Sequence, residues 1–284
     1  MATPTQPSSN LLALAQTDVS HTLPGPALQA ALSQPPFVAL PGSFNTRDLG
    51  LVPGSPIRPG LVYRSGGSFA GLSAVGKEVL VKGMGVTTVF DLRSARERAK
   101  LAGVEADGVE VVWEQPEEEE EALVRLEAFV GGEGEEGYAE MYLGVLAVYA
   151  GAVKRVLEFV RDGGGQGFLI HCTAGRDRTG VVAGLLLSLA GASPQTVVLD
   201  YLLSRIGTEL AREQLLVFAR KGSGAESIDT PGFHNLCSLR ASCWEAFVEA
   251  VDSEYGGFEG YVTNTLGFSE ADLTRIKANL VVQG

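Results

Sequence analysis

Residues 171–180 read His-Cys-Thr-Ala-Gly-Arg-Asp-Arg-Thr-Gly, and they decide how the middle of this chain folds. The stretch Gly167–His171 is mostly apolar and predicts a short buried strand, whereas residues 179–190 predict an apolar helix. The decapeptide therefore connects the carboxyl end of a strand to the amino end of a helix. Ligand sites of α/β proteins form at this edge, and backbone N–H groups there favour a bound anion.

Cys172, Arg178 and Thr179 give this turn its chemistry. The ring of N–H groups and Arg178 favour the thiolate form of the cysteine. A thiolate can attack phosphorus in line and form a phosphocysteine. Arg178 can hold two phosphate oxygens with its planar fork, which a lysine cannot do. Thr179 can donate its hydroxyl to the sulfur when the sulfur leaves, so these three residues are the candidate catalytic set.

The rest of the decapeptide is expected to shape or support the phosphate site. His171 orders the loop through hydrogen bonds, and Gly175 and Gly180 relieve crowding where the backbone turns and packs. The loop residues expected to bind phosphate are Thr173, Ala174, Gly175, Arg176, Asp177 and Arg178. The thiolate and Arg178 supply the charge, so the sequence predicts no metal and no cofactor.

The composition narrows the classes of partner. The chain has 284 residues, of which 34 are acidic and 22 basic, for a net charge of −12. Nucleic acid and anionic membranes repel such a protein, so neither is an expected partner. An anionic substrate requires basic residues concentrated at the site. The three cysteines do not describe a disulfide framework, so Cys237 and Cys243 are expected to be structural thiols, with a resolving thiol as the alternative.

The cell compartment is predicted from two absences in the sequence. The first ten residues, MATPTQPSSN, contain no cationic segment before an apolar core, so no secretory signal is expected. The longest apolar stretch, residues 181–192, is too short to span a bilayer, so no integral membrane segment is expected. These observations predict a cytoplasmic protein.

The pattern along the chain predicts a flexible N-terminal arm over residues 1–35 and a catalytic domain over residues 36–284. Strands are expected at 61–64, 86–92, 109–113 and 167–171, a long helix at 138–161, and helices over most of 239–281. We therefore expect an α/β fold in which a short mixed or parallel sheet is flanked by helices and followed by a helical C-terminal block.

Two segments of unusual composition are expected to be loops. Residues 117–121 are all glutamate and predict a solvated surface segment, with a lid over a cationic pocket as the alternative. Residues 131–137 contain only glycine and glutamate, and they predict a flexible loop.

Several segments outside the decapeptide resemble those of the cysteine-dependent protein tyrosine phosphatase superfamily. The matching segments are Phe44-Asn45-Thr46-Arg47-Asp48-Leu49-Gly50, Val62-Tyr63-Arg64-Ser65-Gly66, Asp91-Leu92-Arg93-Ser94-x-x-Glu97, and Tyr255-Gly256-Gly257-x-x-Gly260-Tyr261 followed by Gly267-Phe268-Ser269. They resemble the bacterial and fungal tyrosine phosphatases with dual-specificity and phosphoinositide activity. This resemblance implies that the substrate is a phosphorylated protein or a phosphoinositide.

One residue of the decapeptide departs from the family pattern, which has a lysine where Arg176 stands. The resemblance implies that Arg176 contacts a second phosphate or a carboxylate of the substrate, and an ion pair with Asp177 is the alternative. Arg47, Arg64 and Arg93 are further candidates to surround the pocket, and Arg47 and Arg64 are also expected to bind phosphate. For each of these three, a structural ion pair is the alternative.

The proton donor to the leaving group is open between two aspartates, because no Trp-Pro-Asp loop is present. Asp91 ends a strand expected to lie beside the strand that carries Cys172, and Asp177 lies in the loop itself. Asp48 is expected to be a structural partner of Arg47 or a backbone cap.

Three functions are consistent with these residues. The first is an active phosphatase with a phosphocysteine intermediate. The second is a catalytically weak module of the same fold that binds phosphate or phosphoinositide. The third is another thiolate enzyme with an anion nest, such as an arsenate reductase or a sulfurtransferase.

Overall fold

The computed structural model describes residues 7–116, 124–163 and 165–281, and within them a five-stranded sheet forms the centre of the fold. The strands are β1 (Arg47–Asp48), β2 (Val62–Ser65), β3 (Val86–Asp91), β4 (Glu110–Val112) and β5 (Gly167–His171). They lie in the order β1-β2-β5-β3-β4. β1 is antiparallel to β2, and the other neighbouring pairs are parallel. The predicted mixed sheet is confirmed.

Helices account for most of the remaining structure. They are α1 (Pro7–Ala15), α2 (Gly25–Leu32), α3 (Ala74–Glu78), α4 (Ala95–Arg98), α5 (Glu135–Val148), α6 (Ala150–Asp162), α7 (Asp177–Leu189), α8 (Pro194–Gly207), α9 (Arg212–Ser223), α10 (Phe233–Cys237), α11 (Ala241–Tyr255), α12 (Gly257–Gly260) and α13 (Glu270–Leu280). Turns of 3₁₀-helix span Leu49–Leu51, Leu126–Phe129 and Glu209–Ala211, and π-helical turns span Val79–Gly83 and Tyr261–Thr265. The α/β class and the helical C-terminal block are confirmed.

The central strand β5 is apolar on both faces because the sheet is covered on both sides. Phe168 and Ile170 lie in the larger core, together with residues of α5 to α8 and the C-terminal helices. Leu169 points to the opposite face and lies in a smaller core with Val86 and Val89. A strand buried on both faces reads as a continuous apolar run instead of an alternating one. This placement fixes the carboxyl end of β5 deep in the molecule.

The predicted long helix at 138–161 is two helices. Tyr149 separates α5 from α6, and its backbone leaves the helical region at φ −102° and ψ 19°. The apolar pattern continues through the break, so the sequence does not reveal it. The expected loop at 131–137 is also shorter than predicted, because α5 already begins at Glu135. The break at Tyr149 brings its side chain to the candidate site described below.

The first 35 residues carry two helices that pack against the rest of the chain. Ala15 and Leu28 are buried in the larger core, and α1 and α2 both contact α8. Arg205 donates to the carbonyl oxygens of Thr17 and His21, and Arg212 donates to that of Val19. The described part of the arm is therefore held by buried side chains and by arginine hydrogen bonds to its carbonyl oxygens. The boundary at residue 35 stays a prediction.

Two predictions concern long segments of the chain. Within the described ranges, none of the helices combines the length and apolarity that a bilayer crossing needs. The glutamate run at 117–121 falls outside the residues that the structure describes.

Candidate active site

Cys172 follows directly after β5 and lies at the bottom of the loop, with only 2% of its surface exposed. The backbone N–H of Gly175 donates to its Sγ at 3.3 Å. The loop then enters α7, whose N-terminus contributes partial positive charge. The sulfur therefore lies against an N–H group of the loop in which the sequence predicts an anion site.

Gly175 makes the tight turn of this loop possible. Its φ is +64°, in the left-handed region that favours glycine. A Cβ at this position would lie 2.3 Å from the Ser65 carbonyl oxygen and 2.5 Å from the Gly66 nitrogen. The loop consequently rests directly on the backbone at the end of β2, with no room for a side chain.

Arg178 projects from the first turn of α7 and is held by a carboxylate. Its Nη1 and Nη2 donate to Oε2 and Oε1 of Glu97 at 2.5 and 2.8 Å. Nη1 also donates to the Leu92 carbonyl oxygen at 3.1 Å and to the Tyr149 hydroxyl at 3.3 Å. The guanidinium group is therefore oriented before any phosphate arrives.

Glu97 lies in a segment that resembles the phosphatase family, but it was not among the predicted site residues. Apart from its contact with Arg178, it accepts a hydrogen bond from the Thr173 hydroxyl, so one carboxylate holds both the arginine and the loop. Glu97 is placed by a capping box at the start of α4, in which Ser94 and Glu97 exchange hydrogen bonds. The spacing Ser94-x-x-Glu97 is the sequence signal of such a box, and it could have placed Glu97 at a helix start.

Thr179 and His171 lie on either side of the cysteine in the sequence and are both fully buried. Thr179 Oγ1 has no hydrogen-bond partner among the described residues, so its hydroxyl is available to a group in the nest. The Nδ1 of His171 lies 3.1 Å from the Cys172 carbonyl oxygen, which only accepts, so this nitrogen carries a proton. Burial lowers the pKa of His171, which keeps the ring neutral. The histidine orders the backbone at the cysteine, as the sequence predicts.

Asp91 ends β3 opposite His171 in the parallel pairing with β5, as the sequence predicts. Its carboxylate is held by Arg93, whose Nε and Nη2 donate at 2.9 and 2.8 Å, and by Arg98, whose Nε lies 3.0 Å from Oδ2. Burial by itself would raise the pKa of Asp91, but the hydrogen bonds and charge of Arg93 hold it below its usual value. A carboxylate so paired is poorly suited to carry a proton, and the predicted role of Asp91 as acid finds no support in this arrangement.

Asp177, the other candidate acid, is the first residue of α7 and is partly exposed. Its Oδ1 accepts a hydrogen bond of 2.9 Å from the Tyr142 hydroxyl, whose oxygen lies 3.2 Å from the Tyr201 hydroxyl oxygen. Among the described residues, no arginine or lysine forms an ion pair with it. Asp177 is therefore positioned by a neutral hydrogen bond beside Arg178.

Arg47 and Arg64 lie behind the loop, which corrects the expectation that they bind phosphate directly. Both are completely buried and both form ion pairs with Asp200 of α8. Arg64 also donates to the Gly175 carbonyl oxygen at 2.8 Å. The charge of each arginine is therefore used within the protein, and the two residues support the loop from its far side.

Arg176 points toward α10 instead of pairing with Asp177. Its Nη1 donates to the Cys237 carbonyl oxygen at 3.0 Å, and Nη2 lies 3.4 Å from the Tyr138 hydroxyl. Arg93, the remaining arginine candidate, donates to Asp91 and to two carbonyl oxygens. Neither arginine touches the sulfur, and both expected contacts with substrate remain predictions.

The other two cysteines are buried free thiols. Burial raises the pKa of both Cys237 and Cys243 to about 11, which keeps them protonated near neutral pH. This matches the expectation of structural thiols.

The arrangement of a buried sulfur, a loop of N–H groups and a fixed arginine agrees with a comparison of the whole sequence. The model of one family, described as the tyrosine phosphatase family, matches residues 38–282. The chain belongs to the tyrosine phosphatase family. It is therefore a phosphatase enzyme, as the decapeptide predicts.

Two curated relatives show how far the similarity extends. This phosphatase is 28% identical to the triple specificity protein phosphatase PtpB of Mycobacterium tuberculosis, over 85% of this chain and 98% of that protein. It is 40% identical to a tyrosine-protein phosphatase of Nostoc commune, but over only 39% of this chain and 38% of that relative. The similarity to PtpB thus covers nearly the whole of that protein.

Proposed function

We propose that this phosphatase hydrolyses phosphomonoesters through a phosphocysteine intermediate formed on Cys172. The observation that carries the proposal is the position of the sulfur, which accepts the Gly175 N–H inside the loop. A phosphate bound in the same loop would place phosphorus in line with this sulfur. Arg178, already fixed by Glu97, would then hold two of the phosphate oxygens.

The proposed reaction has two steps. In the first, the Cys172 thiolate attacks phosphorus, the bond to the ester oxygen breaks, and Asp177 protonates the leaving oxygen. In the second, water attacks the phosphocysteine, Asp177 takes a proton from this water, and the sulfur leaves as a thiolate. The Thr179 hydroxyl, which has no hydrogen-bond partner in the described part of the chain, stabilises this thiolate by a hydrogen bond. Inorganic phosphate is released and the enzyme returns to its starting state.

Asp177 is proposed as the acid because of what surrounds the two aspartates. Asp91 is 2% exposed and its carboxylate is shared between Arg93 and Arg98. Asp177 is partly exposed at the helix start and receives only the Tyr142 hydroxyl among the described side chains. A general acid must exchange its proton with the leaving group and with water, which the surroundings of Asp177 permit.

Phosphotyrosine is the substrate that we propose first. The N–H of Gly67 donates to the Thr173 carbonyl oxygen, so the segment after β2 adjoins the catalytic loop. Two residues further, the ring of Phe69 stacks on Phe44 with centroids 5.5 Å apart and stays 38% exposed. An exposed aromatic face beside the loop can pack against a phenyl ring. Phosphoserine, phosphothreonine and phosphoinositides are further proposed substrates, supported by the triple specificity named for PtpB.

The cellular setting follows from the sequence predictions. We propose a cytoplasmic enzyme, in which the reducing environment keeps Cys172 as a thiol or thiolate. The alternative function is a module that binds phosphate without turnover. None of the contacts described at the site favours it.

Replacement of the nucleophile tests the proposal. Cys172→Ser should reduce turnover of p-nitrophenyl phosphate below detection, because serine is not ionised at neutral pH. Activity of the wild type should survive a chelator. The matched control is Cys243→Ser, at a buried cysteine whose thiol donates to the Glu133 carbonyl oxygen, and this variant should keep its activity. Turnover by Cys172→Ser, or loss of wild-type activity in the chelator, would contradict the mechanism.

A separate assay compares the classes of substrate. Phosphate release from a phosphotyrosine peptide, a phosphothreonine peptide and a phosphoinositide should show the highest kcat/KM for phosphotyrosine. Phe69→Ala should lower kcat/KM for the phosphotyrosine peptide more than for the phosphothreonine peptide. Equal losses for both peptides would remove Phe69 from substrate recognition.

A further inference from the structure

A single carboxylate behind the catalytic loop joins two guanidinium groups. Asp200 of α8 accepts from Arg47 Nε at 2.7 Å through Oδ1 and from Arg64 Nη1 through Oδ2. The carbonyl oxygen of Asp200 and the Ser204 hydroxyl accept further hydrogen bonds from Arg47, each at 2.9 Å. The side chains of the three charged residues are at most 1% exposed, so water does not screen this cluster.

The cluster reaches the loop through two routes. Arg64 Nη2 donates to the Gly175 carbonyl oxygen at 2.8 Å. Arg47 Nη1 donates at 2.6 Å to the side-chain oxygen of Asn45. The amide nitrogen of Asn45 in turn donates to the carbonyl oxygens of Ala174 and Gly175, at 3.2 and 2.9 Å. Asp200 itself touches no loop residue among these contacts, so it acts on the loop only through the arginines.

These contacts determine which way the loop peptides point. A peptide group is planar, and its C=O and N–H point in opposite directions. When the carbonyl groups of Ala174 and Gly175 are held outward by donors, the N–H groups of the same peptide planes must face the phosphate. Asn45 meets this requirement with a backbone φ of 57°, which is uncommon for a residue other than glycine. The outward hydrogen bonds therefore define the inward anion site.

The cluster also carries net positive charge. Two guanidinium groups and one carboxylate leave one positive charge behind the loop. Burial by itself would raise the pKa of Asp200, but the charges of Arg47 and Arg64 hold it below its usual value, so the carboxylate is ionised. In a water-excluded interior, a fixed positive charge favours an anion on the other side of the loop.

We infer that Asp200 is a positioning residue of this phosphatase, which orients the phosphate-binding N–H groups by fixing Arg47 and Arg64. The inference rests on the proposed function, since it assigns Asp200 to the same site. Sequence reasoning did not find Asp200, which lies outside every recognised motif and 28 positions after the cysteine, at residues 200 and 172.

The test is Asp200→Asn, which keeps the shape of the side chain and removes its charge. We expect kcat to fall by about 10- to 100-fold and the affinity for inorganic phosphate, measured by calorimetry, to fall by about tenfold, since small displacements of catalytic groups cost rates of this order. The matched control is Asp48→Asn, another buried carboxylate, which binds the N–H groups of Gly50 and Gly60 and not the loop. It should lose stability but keep kcat and phosphate affinity within about twofold, the scale of effects away from functional contacts.

A second variant keeps the inference testable if Asp200→Asn fails to fold. Asn45→Gly accepts the left-handed backbone and removes the side-chain amide that links Arg47 to the loop carbonyls, so it should also weaken phosphate binding. Wild-type phosphate affinity in a folded Asp200→Asn or in Asn45→Gly would overturn the inference. Because phosphate binding is measured without turnover, a wild type that binds phosphate but shows no phosphatase activity would refute the proposed function alone.

Discussion

The two faces of the catalytic loop use the same kinds of residue for different purposes. On the inward side, one carboxylate, Glu97, holds one arginine, Arg178, beside the sulfur. On the outward side, one carboxylate, Asp200, holds two arginines, of which Arg64 donates to a loop carbonyl and Arg47 reaches the loop through Asn45. The inward guanidinium has a partner that a phosphate can share or replace, whereas the outward cluster is closed. The role of an arginine near a phosphate site therefore follows from the contacts that it makes and not from the motif in which it stands.

The largest effect expected on the inward face is that of Arg178→Lys. A lysine keeps the charge but cannot hold two phosphate oxygens at once. We expect kcat/KM for p-nitrophenyl phosphate to fall about 1000-fold, as when a preorganised charge-stabilising donor is lost. The control is Arg58→Lys, at an arginine that donates to the Gly165 carbonyl oxygen and touches neither face of the loop, and it should keep wild-type activity. Near-normal activity of Arg178→Lys would mean that its fork is not used.

An intermediate effect is expected at Asp177. Without a proton donor, Asp177→Asn should lower kcat by about 100-fold for a substrate with a poor leaving group such as phosphotyrosine peptide, and less for p-nitrophenyl phosphate. Asp91→Asn is the comparison. It should lower the melting temperature, since Arg93 and Arg98 lose their charged partner, but keep kcat for both substrates near the wild-type value. The opposite pattern would make Asp91 the acid.

The smallest expected effect separates the two glycines of the decapeptide. A Cβ on Gly180 would lie 3.5 Å from Arg64 Nη2, an ordinary contact, so Gly180→Ala should change stability by less than about 1 kcal/mol. Gly175→Ala forces a methyl group against Ser65 and a left-handed φ, and it should destabilise the protein by about 2 to 4 kcal/mol. Urea unfolding of both variants measures the difference. Equal losses would show that the contact between the loop and β2 is not tight.

Much of the fold could be predicted because its elements have strong local signals. The apolar runs at 86–92 and 167–171 predicted β3 and β5, and the strand–loop–helix order placed Cys172 at the sheet edge. The two-residue strand β1 has no periodicity to detect, and the break at Tyr149 lies inside an apolar pattern. Local patterns do not encode either feature, since each depends on what packs nearby.

The sequence predicted the residues at the centre of the candidate site, but it did not predict the carboxylates that hold the arginines around them. Cys172, Arg178 and Thr179 lie within eight consecutive residues, and their order alone indicates their chemistry. The supporting carboxylates come from distant segments: Glu97 is 81 residues from its partner Arg178, and Asp200 is 136 residues from its partner Arg64. An acidic residue gives no sequence sign of the arginine that it will meet. The prediction that Arg47 and Arg64 bind phosphate was wrong for the same reason.

The position of Asp200 also sets the order in which this enzyme can mature during synthesis. A ribosome adds residues from the N-terminus, so Cys172 and its loop are made before α8. Until Asp200 emerges, Arg47 and Arg64 have no common counter-ion, and the loop carbonyls lack their oriented donors. A nascent chain released before this point would carry the reactive cysteine without its phosphate pocket. If Asp200 orients the loop as we infer, the phosphate site is completed late, when most of the chain has been made.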